Sequence, residues 1–149
     1  MRRVFVVAAI FLALTSALPV RANEGSRIVI ETSKPLGPSP GIFSLSASFV
    51  DAGTFSTTRR VTSARGAPDF LVTHVVIEFV GAFGTLTVHA QIKETVTADP
   101  DILVDEGRWV IVDGTGAYAT MHGQGEVVGF VDERLNVISR TYDGVVHHD

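Results

Sequence analysis

The sequence predicts an all-β protein that folds as an antiparallel, up-and-down β-barrel of about eight strands. Most of the 149-residue chain consists of short runs of β-branched and aromatic residues, separated by Gly, Pro, Asp and Asn. A helical period in the apolar residues is almost absent. The connections between the runs are short, which favours antiparallel neighbours, because a parallel pair needs a crossover of a dozen or more residues.

The eight strands are expected at residues 27–32, 42–50, 53–63, 70–80, 83–96, 107–112, 125–131 and 137–142. The Pro-rich stretch SKPLGPSPG, residues 33–41, predicts a loop between the first two strands, because proline has no amide hydrogen to donate. The stretches VDAGTF, FVGAFG and VDERLNV are interpreted as hairpin connections. Eight such strands form a sandwich or close on themselves, and closure is expected because it removes both exposed edges.

The first 22 residues have the layout of a secretory signal peptide. Arg2 and Arg3 precede an apolar run at residues 4–14, and the small-residue pattern Val-Arg-Ala follows at residues 20–22. This predicts a cleaved signal at residues 1–22 and one barrel domain at residues 23–149. The apolar run is shorter than the roughly 20 residues of a membrane-spanning helix, so no membrane anchor is expected.

The composition narrows the expected location and partners. The chain has no cysteine, which excludes disulfides, thiolate metal sites and a cysteine nucleophile. An exported protein without disulfides suits a bacterial periplasm or the medium, so a secreted or periplasmic protein is expected. The formal charge of −4 becomes −7 without the signal peptide, since three of the 12 basic residues are removed and all 16 acidic residues stay. Such an acidic surface argues against nucleic acid as a partner.

Glu94 is the candidate catalytic residue. In the stretch GTLTVHAQIKETV, residues 84–96, one face of the strand carries Leu86, Val88, Ala90, Ile92 and Glu94. If that face lines the lumen, Glu94 is its one buried carboxyl group, and a carboxyl group in an apolar cavity is suited to donate a proton in a cyclisation or isomerisation. The alternative is a solvated residue near the strand end.

His74 and Glu78 are candidate ligand-binding residues, with a position on the outer surface as the alternative. They lie four residues apart on one face of the stretch FLVTHVVIEFV, roughly 13 Å from each other at about 3.3 Å per residue, which is too far for a dyad. Both faces of this strand are partly apolar. A covered outer face would explain that, so a homo-oligomer, a dimer or trimer, is expected.

The stretch RWVIVDGTGAYATMHGQG, residues 108–125, contains a G-x-G-x-x-A pattern, typical of a dinucleotide-binding turn. Such a turn needs a following helix of several turns and a second parallel strand. Here Ala117 to His122 leave room for about one helical turn before a β pattern returns. The glycines and the threonine therefore predict a structural turn, at Gly114, Thr115, Gly116, Gly123 and Gly125.

The same residues carry a resemblance. The pattern W-x-I-x-D-G-T-G-A-Y-A-x-M-x-G-x-G at residues 109–125 resembles the segment that characterises allene oxide cyclase-like barrel proteins, which include plant dirigent proteins and small exported bacterial proteins. GTFSTTRRV and GTLTVHAQI resemble the Gly-Thr strand openings of that group more loosely. The resemblance implies a barrel that holds a small hydrophobic molecule and, in the plant members, catalysis without metal or organic cofactor.

Other residues receive two interpretations each. Trp109 packs in the barrel or stacks on a ligand, and Tyr118 plugs a barrel corner or contacts a ligand. His147 and His148 form a terminal tail or bind a metal weakly. The acidic stretch DPDILVDE, residues 99–106, predicts a solvated loop, since it lacks the spacing and the glycine of a calcium site. No metal and no cofactor are expected.

Two functions remain open at this point. One is a barrel that binds a small hydrophobic molecule, with a cofactor-independent cyclase or isomerase activity as its catalytic form. The other is a non-catalytic exported scaffold or interaction protein with a filled barrel. The first requires a luminal cavity with a few inward polar groups, whereas the second requires a lumen packed with large side chains.

Overall fold

The computed structural model describes residues 25–63 and 70–149. Within them, eight strands form one closed antiparallel barrel in which each strand pairs with its neighbours in sequence and β1 pairs with β8. The strands are β1 (Ser26–Pro35), β2 (Gly41–Ser46), β3 (Val50–Ser63), β4 (Phe70–Gly81), β5 (Gly84–Val96), β6 (Ile102–Gly114), β7 (Met121–Asp132) and β8 (Val137–His148). The prediction of a closed eight-stranded, up-and-down barrel is confirmed. The predicted signal peptide at residues 1–22 lies outside the described residues.

The hairpin predictions are confirmed in two places and wrong in one. β4 and β5 connect through Ala82 and Phe83, and β7 and β8 through residues 133–136, as expected. The stretch VDAGTF is not a connection, because it lies within β3 and the chain turns earlier, at residues 47–49. Gly53 is a strand residue there, and a Cβ atom on it would lie 2.0 Å from the carbonyl oxygen of Val80. This glycine permits close approach to β4.

The prediction of a solvated loop at residues 99–106 is also wrong in its second half. β6 begins at Ile102, and Asp105 points into the barrel, buried beside Arg140. The alternation of β6 explains this, because Asp105 shares the inward face with Trp109 and Ile111. A guanidinium partner on β8, remote in sequence, allows the carboxylate to be buried.

Gly114 ends β6, and Thr115 and Gly116 lead into the short 3-10 helix η1 (Gly116–Tyr118), at the place where the sequence predicts a structural turn. Thr115 fixes the turn against β5: its amide donates to the carbonyl oxygen of Thr85, and the two hydroxyl groups lie 2.7 Å apart. Gly123 and Gly125 belong to β7 instead, so their assignment to the turn is wrong. There, glycine leaves room inside the barrel: a Cβ on Gly144, which pairs with Gly125, would lie 2.6 Å from the Trp109 ring.

Aromatic side chains fill the middle of the lumen. Phe79 packs against Phe43, Phe55 and Tyr142 with ring centroids 5.2, 5.6 and 6.0 Å apart, and Tyr142 also packs against Trp109 at 6.4 Å. An eight-stranded barrel is just wide enough for side chains to fill it. Any cavity must therefore lie toward one end of the barrel. In the described part of the chain, no helix is long and apolar enough to cross a membrane.

Candidate functional site

The two ends of the barrel differ, and we name them after a residue at each. The Tyr118 end holds the connections at residues 47–49, 82–83 and 115–120. The Glu94 end holds the connections at residues 36–40, 97–101 and 133–136. The difference is chemical: aromatic groups around one buried carboxylate occupy the Tyr118 end, whereas a cluster of charged side chains of both signs occupies the Glu94 end.

The Tyr118 end is closed by one buried hydrogen-bonded pair. Tyr118 is 1% exposed, and its hydroxyl group donates to Oδ2 of Asp51 at 2.7 Å. Phe49 packs against Tyr118 and against Phe83, with ring centroids 5.5 and 5.9 Å apart. The predicted plug role of Tyr118 agrees with this placement. Its predicted contact with a ligand stays untested, and Tyr118 does not line the cavity described below.

Asp51 anchors three segments at the same end. Its carboxylate accepts hydrogen bonds from the amides of Ala52 and Ala82 at 2.8 and 2.9 Å, and from that of Phe83 at 3.3 Å. Burial would raise the pKa of Asp51, but the hydrogen bonds from Tyr118 and from these amides outweigh it and lower that pKa below its usual value. Burial and then Asp51 raise the pKa of Tyr118, so this pair is a neutral phenol and a carboxylate near neutral pH.

The Glu94 end contains a cavity of about 170 Å³ that reaches into the lumen. Its floor is apolar and its sides are polar. The polar lining consists of Thr32, Lys34, Thr57, Arg60, Thr73, Glu94 and Arg140, and the apolar lining includes Phe55, Val75, Ile77, Ile138 and Tyr142. A cavity with an apolar floor and a charged rim matches a small molecule that has an apolar body and a charged group.

Arg140 is the centre of the charged cluster at this end. Its side chain is 14% exposed, and it donates to Oδ2 of Asp105 at 2.7 Å and to Oε1 of Glu94 at 3.3 Å. Burial opposes its charge, but Tyr142, Asp105 and Glu94 together raise the pKa of Arg140. The guanidinium group therefore stays charged and compensates two carboxylates that the barrel buries.

A glycine on β7 makes room for this cluster. A Cβ atom on Gly129, the β7 residue opposite Arg140, would lie 2.7 Å from Cγ of Arg140, so glycine leaves space for the arginine inside the barrel.

Two groups beside Arg140 keep polar character in this buried place. Burial raises the pKa of Tyr142 to about 12, although Arg140 opposes that rise. Asp105 keeps one unused acceptor: among the described residues its Oδ1 has no hydrogen-bond partner.

A β-bulge in β3 brings a second arginine to the cavity. Thr57 pairs with Ile77 but Arg59 pairs with Val76, so Thr58 is the extra residue. The bulge reverses the alternation, which turns Arg60 toward the lumen beside Val75 and leaves Arg59 on the outer face. Arg60 lies at the rim with 55% of its side chain exposed, 3.5 Å from Oε1 of Glu94.

Lys34 completes the rim from β1. Its Nζ donates to the carbonyl oxygen of Gly37 at 2.7 Å, in the loop that follows β1. Burial lowers the pKa of Lys34, and the positive charges of Arg140 and Arg60 lower it further. Three basic side chains, Lys34, Arg60 and Arg140, thus line the cavity, whereas the cluster has two acidic side chains, Glu94 and Asp105, which leaves one basic group in excess.

Glu94 takes the luminal one of the two positions that the sequence left open. The face of β5 that carries Leu86, Val88, Ala90, Ile92 and Glu94 lines the lumen, and Glu94 is buried and borders the cavity. Its surroundings differ from the expected apolar cavity, since Arg140, Arg60 and the hydroxyl of Thr73 at 3.5 Å surround the carboxyl group. Its role as a proton donor stays a prediction.

The other sequence candidates do not meet at this site. Trp109 is 2% exposed and donates its indole N–H to the carbonyl oxygen of Glu126, a core role away from the cavity lining. His74 and Glu78 lie on the outer face of β4, where His74 stacks on His89 with ring centroids 5.9 Å apart. No luminal role follows from that placement, and ligand contact on the outer face stays untested.

Sequence reasoning missed Lys34, Arg60, Asp105 and Arg140. Asp105 and Arg140 were within reach, because each lies an even number of residues from an aromatic residue that faces inward, Trp109 and Tyr142. Arg60 was not, because the strand period places Arg59 inward and only the bulge reverses this. Within the described residues, no group of three or more His, Asp or Glu side chains is arranged to hold a metal ion.

The outer surface carries exposed apolar residues on β6 and β7. They are Val104, Val110, Val112, Val128 and Phe130. Val104 and Phe130 are direct cross-strand partners, and Val128 lies two residues from Phe130 on the same face of β7, so these three side chains are neighbours. The expected homo-oligomer stays a prediction.

Comparisons with known proteins do not identify a family: no family model, curated protein or solved structure matches the chain. The resemblance of residues 109–125 to allene oxide cyclase-like barrels therefore stays a prediction. Function is inferred from the geometry of the Glu94 end.

Proposed function

We propose that this protein is a binding barrel that holds a small molecule with an apolar body and a carboxylate group in the cavity at the Glu94 end. The observation that carries the proposal is the excess of positive charge around an apolar floor. Lys34, Arg60 and Arg140 line the cavity, and the cluster there has only two acidic side chains, in a chain whose formal charge is −4. A local basic cluster in an acidic protein selects anions.

Arg60 is the group best placed to receive the carboxylate of the ligand. Its one described ion pair, with Glu94, is long at 3.5 Å, and most of its side chain is solvent-exposed. A guanidinium group has five N–H donors in a planar fork that matches a carboxylate. The apolar part of the ligand then packs on Phe55, Val75 and Ile77 at the cavity floor.

The size of the cavity limits the ligand. About 170 Å³ is below the roughly 300–1,000 Å³ of sites for drug-sized ligands, so the ligand is a small acid with a short chain or a single ring. The aromatic packing around Phe79 supports the same limit, because it blocks deeper entry into the lumen.

The proposal includes a catalytic form and a cellular setting. The resemblance of residues 109–125 supports membership of the allene oxide cyclase-like group, with Glu94 as proton donor in a cofactor-independent cyclisation or isomerisation. The layout of residues 1–22 supports export to the periplasm or the medium. Glu94→Gln tests the acid once a substrate is known, since unchanged turnover would dismiss it.

The second candidate is a non-catalytic exported scaffold. The packed aromatic middle of the lumen favours it, because large side chains occupy the space that a deep binding site would need. The apolar patch on β6 and β7 supports a related proposal, that the scaffold self-associates as a dimer or trimer.

Titration of the purified protein with hexanoate and with hexan-1-ol, followed by NMR, tests the binding function. We expect saturable binding of the acid. The alcohol should bind at least about tenfold more weakly than the acid, because a hydrogen bond to a charged group contributes about 1.5–3 kcal/mol. Arg60→Gln should weaken the binding of the acid by a similar factor, whereas Arg59→Gln on the outer face should leave that binding unchanged. Absence of saturable binding, or equal effects of the two substitutions, would contradict the function and favour the scaffold.

A further inference from the structure

Lys34 has different surroundings from Lys93, the other lysine in the sequence. The sequence contains two lysines, Lys34 and Lys93. Lys34 borders the cavity at the Glu94 end, whereas Lys93 lies on the outer face of β5. Lys93 pairs with the carboxylate of Glu106 at 3.2 Å and lies over the ring of Phe70.

The surroundings of Lys34 differ, because they raise the fraction of its side chain that is in the free-amine form. Among the residues that the structure describes, no carboxylate lies within ion-pair distance of its Nζ. Its one hydrogen bond goes to the carbonyl oxygen of Gly37, and a neutral amine can donate this bond while its lone pair stays available. Burial and the charges of Arg140 and Arg60 lower the pKa of Lys34, so a larger fraction of it is neutral than at an exposed lysine.

We propose that Lys34 is a nucleophile that forms an imine with the ketone or aldehyde group of an oxo acid bound in the cavity. The inference rests on the proposed function, because Arg60 holds the carboxylate of the same molecule. A lysine that is partly desolvated beside other cations is an established type of activated amine nucleophile. The ligand class becomes a small oxo acid.

The chemistry balances without any other reactant. The lone pair of Nζ attacks the carbonyl carbon, an N–C bond forms, and one amine proton passes to the carbonyl oxygen. The second amine proton then leaves with that hydroxyl group as water, and a C=N bond replaces the C–O bond. Nothing is oxidised or reduced, so neither a metal nor a redox cofactor is needed for this step.

Reductive trapping tests the proposal directly. The purified protein is incubated with levulinate, a small 4-oxo acid, and sodium cyanoborohydride, and the modified residue is identified by peptide mass spectrometry. We expect one reduced adduct at Lys34, formed at least about tenfold faster than at Lys93, because Arg60 holds the carboxylate so that the oxo group lies beside Lys34. Lys34→Arg should abolish that adduct and Lys93→Arg should leave it unchanged. Pentanoate, which lacks the oxo group, should slow trapping by competition.

The outcomes separate the imine from the binding function. Equal labelling of Lys34 and Lys93 in the wild-type protein, which requires no variant to fold, would overturn the nucleophile. Binding of pentanoate with no adduct at Lys34 would overturn it too, and would leave the carboxylate site standing. Trapping of the neutral ketone pentan-2-one at Lys34 as fast as levulinate would support the nucleophile and contradict the carboxylate site.

Discussion

At the scale of single residues, Arg140 determines the character of the Glu94 end. One guanidinium group contacts two buried carboxylates, Asp105 and Glu94. The absence of a side chain at Gly129 leaves room for Arg140 inside the barrel. Removing one partner of such a group leaves charges that neither water nor a counter-ion compensates. The cost of losing Arg140 should therefore be much larger than the benefit of the ion pairs themselves.

Arg140→Met should lower the free energy of unfolding by about 3–5 kcal/mol, because it leaves buried carboxylates unpaired. Arg60→Met is the matched control, since Arg60 contacts the same Glu94 from an exposed position. Its cost should stay within about 1 kcal/mol, as for other solvent-screened pairs. Urea unfolding of both variants measures the difference. Similar values for the two would show that Arg140 is not the partner on which the buried carboxylates depend.

At the scale of elements, two irregularities position the functional side chains. The bulge at Thr58 turns Arg60 into the cavity, and the turn between β6 and η1 brings Tyr118 under the opposite end. The turn depends on Gly116, whose φ is +59° and whose missing Cβ would lie 2.2 Å from the carbonyl oxygen of Phe83. Regular strands alone would form the barrel, but they would place neither Arg60 in the cavity nor Tyr118 at the opposite end.

Gly116→Ala should destabilise the protein more than Gly37→Ala. Gly37 also has a positive φ, +94°, but nothing lies within 4 Å of the position of a Cβ atom there. We expect a cost of about 1–2 kcal/mol at Gly37 from backbone conformation alone. At Gly116 the collision with Phe83 should add about 1–3 kcal/mol. Thermal unfolding compares the two, and equal losses would mean that the turn can move away from β5.

At the scale of the whole molecule, the barrel has one sealed end and one charged end. Asp51 seals the first by holding Tyr118 and the connection between β4 and β5. Because its pKa is lower in the folded protein than its ordinary value of about 3.9, Asp51 stabilises the fold above that value. This contribution is lost as the pH falls through the lowered pKa.

Asp51→Asn should therefore lower the free energy of unfolding at pH 7, by about 1–3 kcal/mol for the acceptor that is lost. The gap between this variant and the wild type should narrow as the pH falls from about 5 toward 2, because protonation removes the same contribution from the wild type. Glu133→Gln, on the exposed connection between β7 and β8, serves as the control. Denaturant unfolding across that pH range measures the gap, and a constant gap would contradict the role of the ionised carboxylate.

The sequence by itself determined the strands and their antiparallel order, and it left two positions open for Glu94, in the lumen or in solvent. These features depend on alternation, turn residues and short connections, which are local properties of the chain. It did not determine the true start of β6, because an acidic segment is compatible with solvent until a distant partner is known. A strand pattern also does not predict a bulge. The regular alternation of β3 would place Arg59 inward, whereas the bulge places Arg60 there.

Only the tertiary structure decided which charged residues share a cavity. Arg140 and Asp105 lie 35 positions apart in the chain, and Lys34 reaches the same cluster because β1 pairs with β8 to close the barrel. Closure sets the register between strands that are remote in sequence, and the register places each inward side chain at one depth of the lumen. The barrel follows from local patterns, whereas the chemistry of its open end follows from closure.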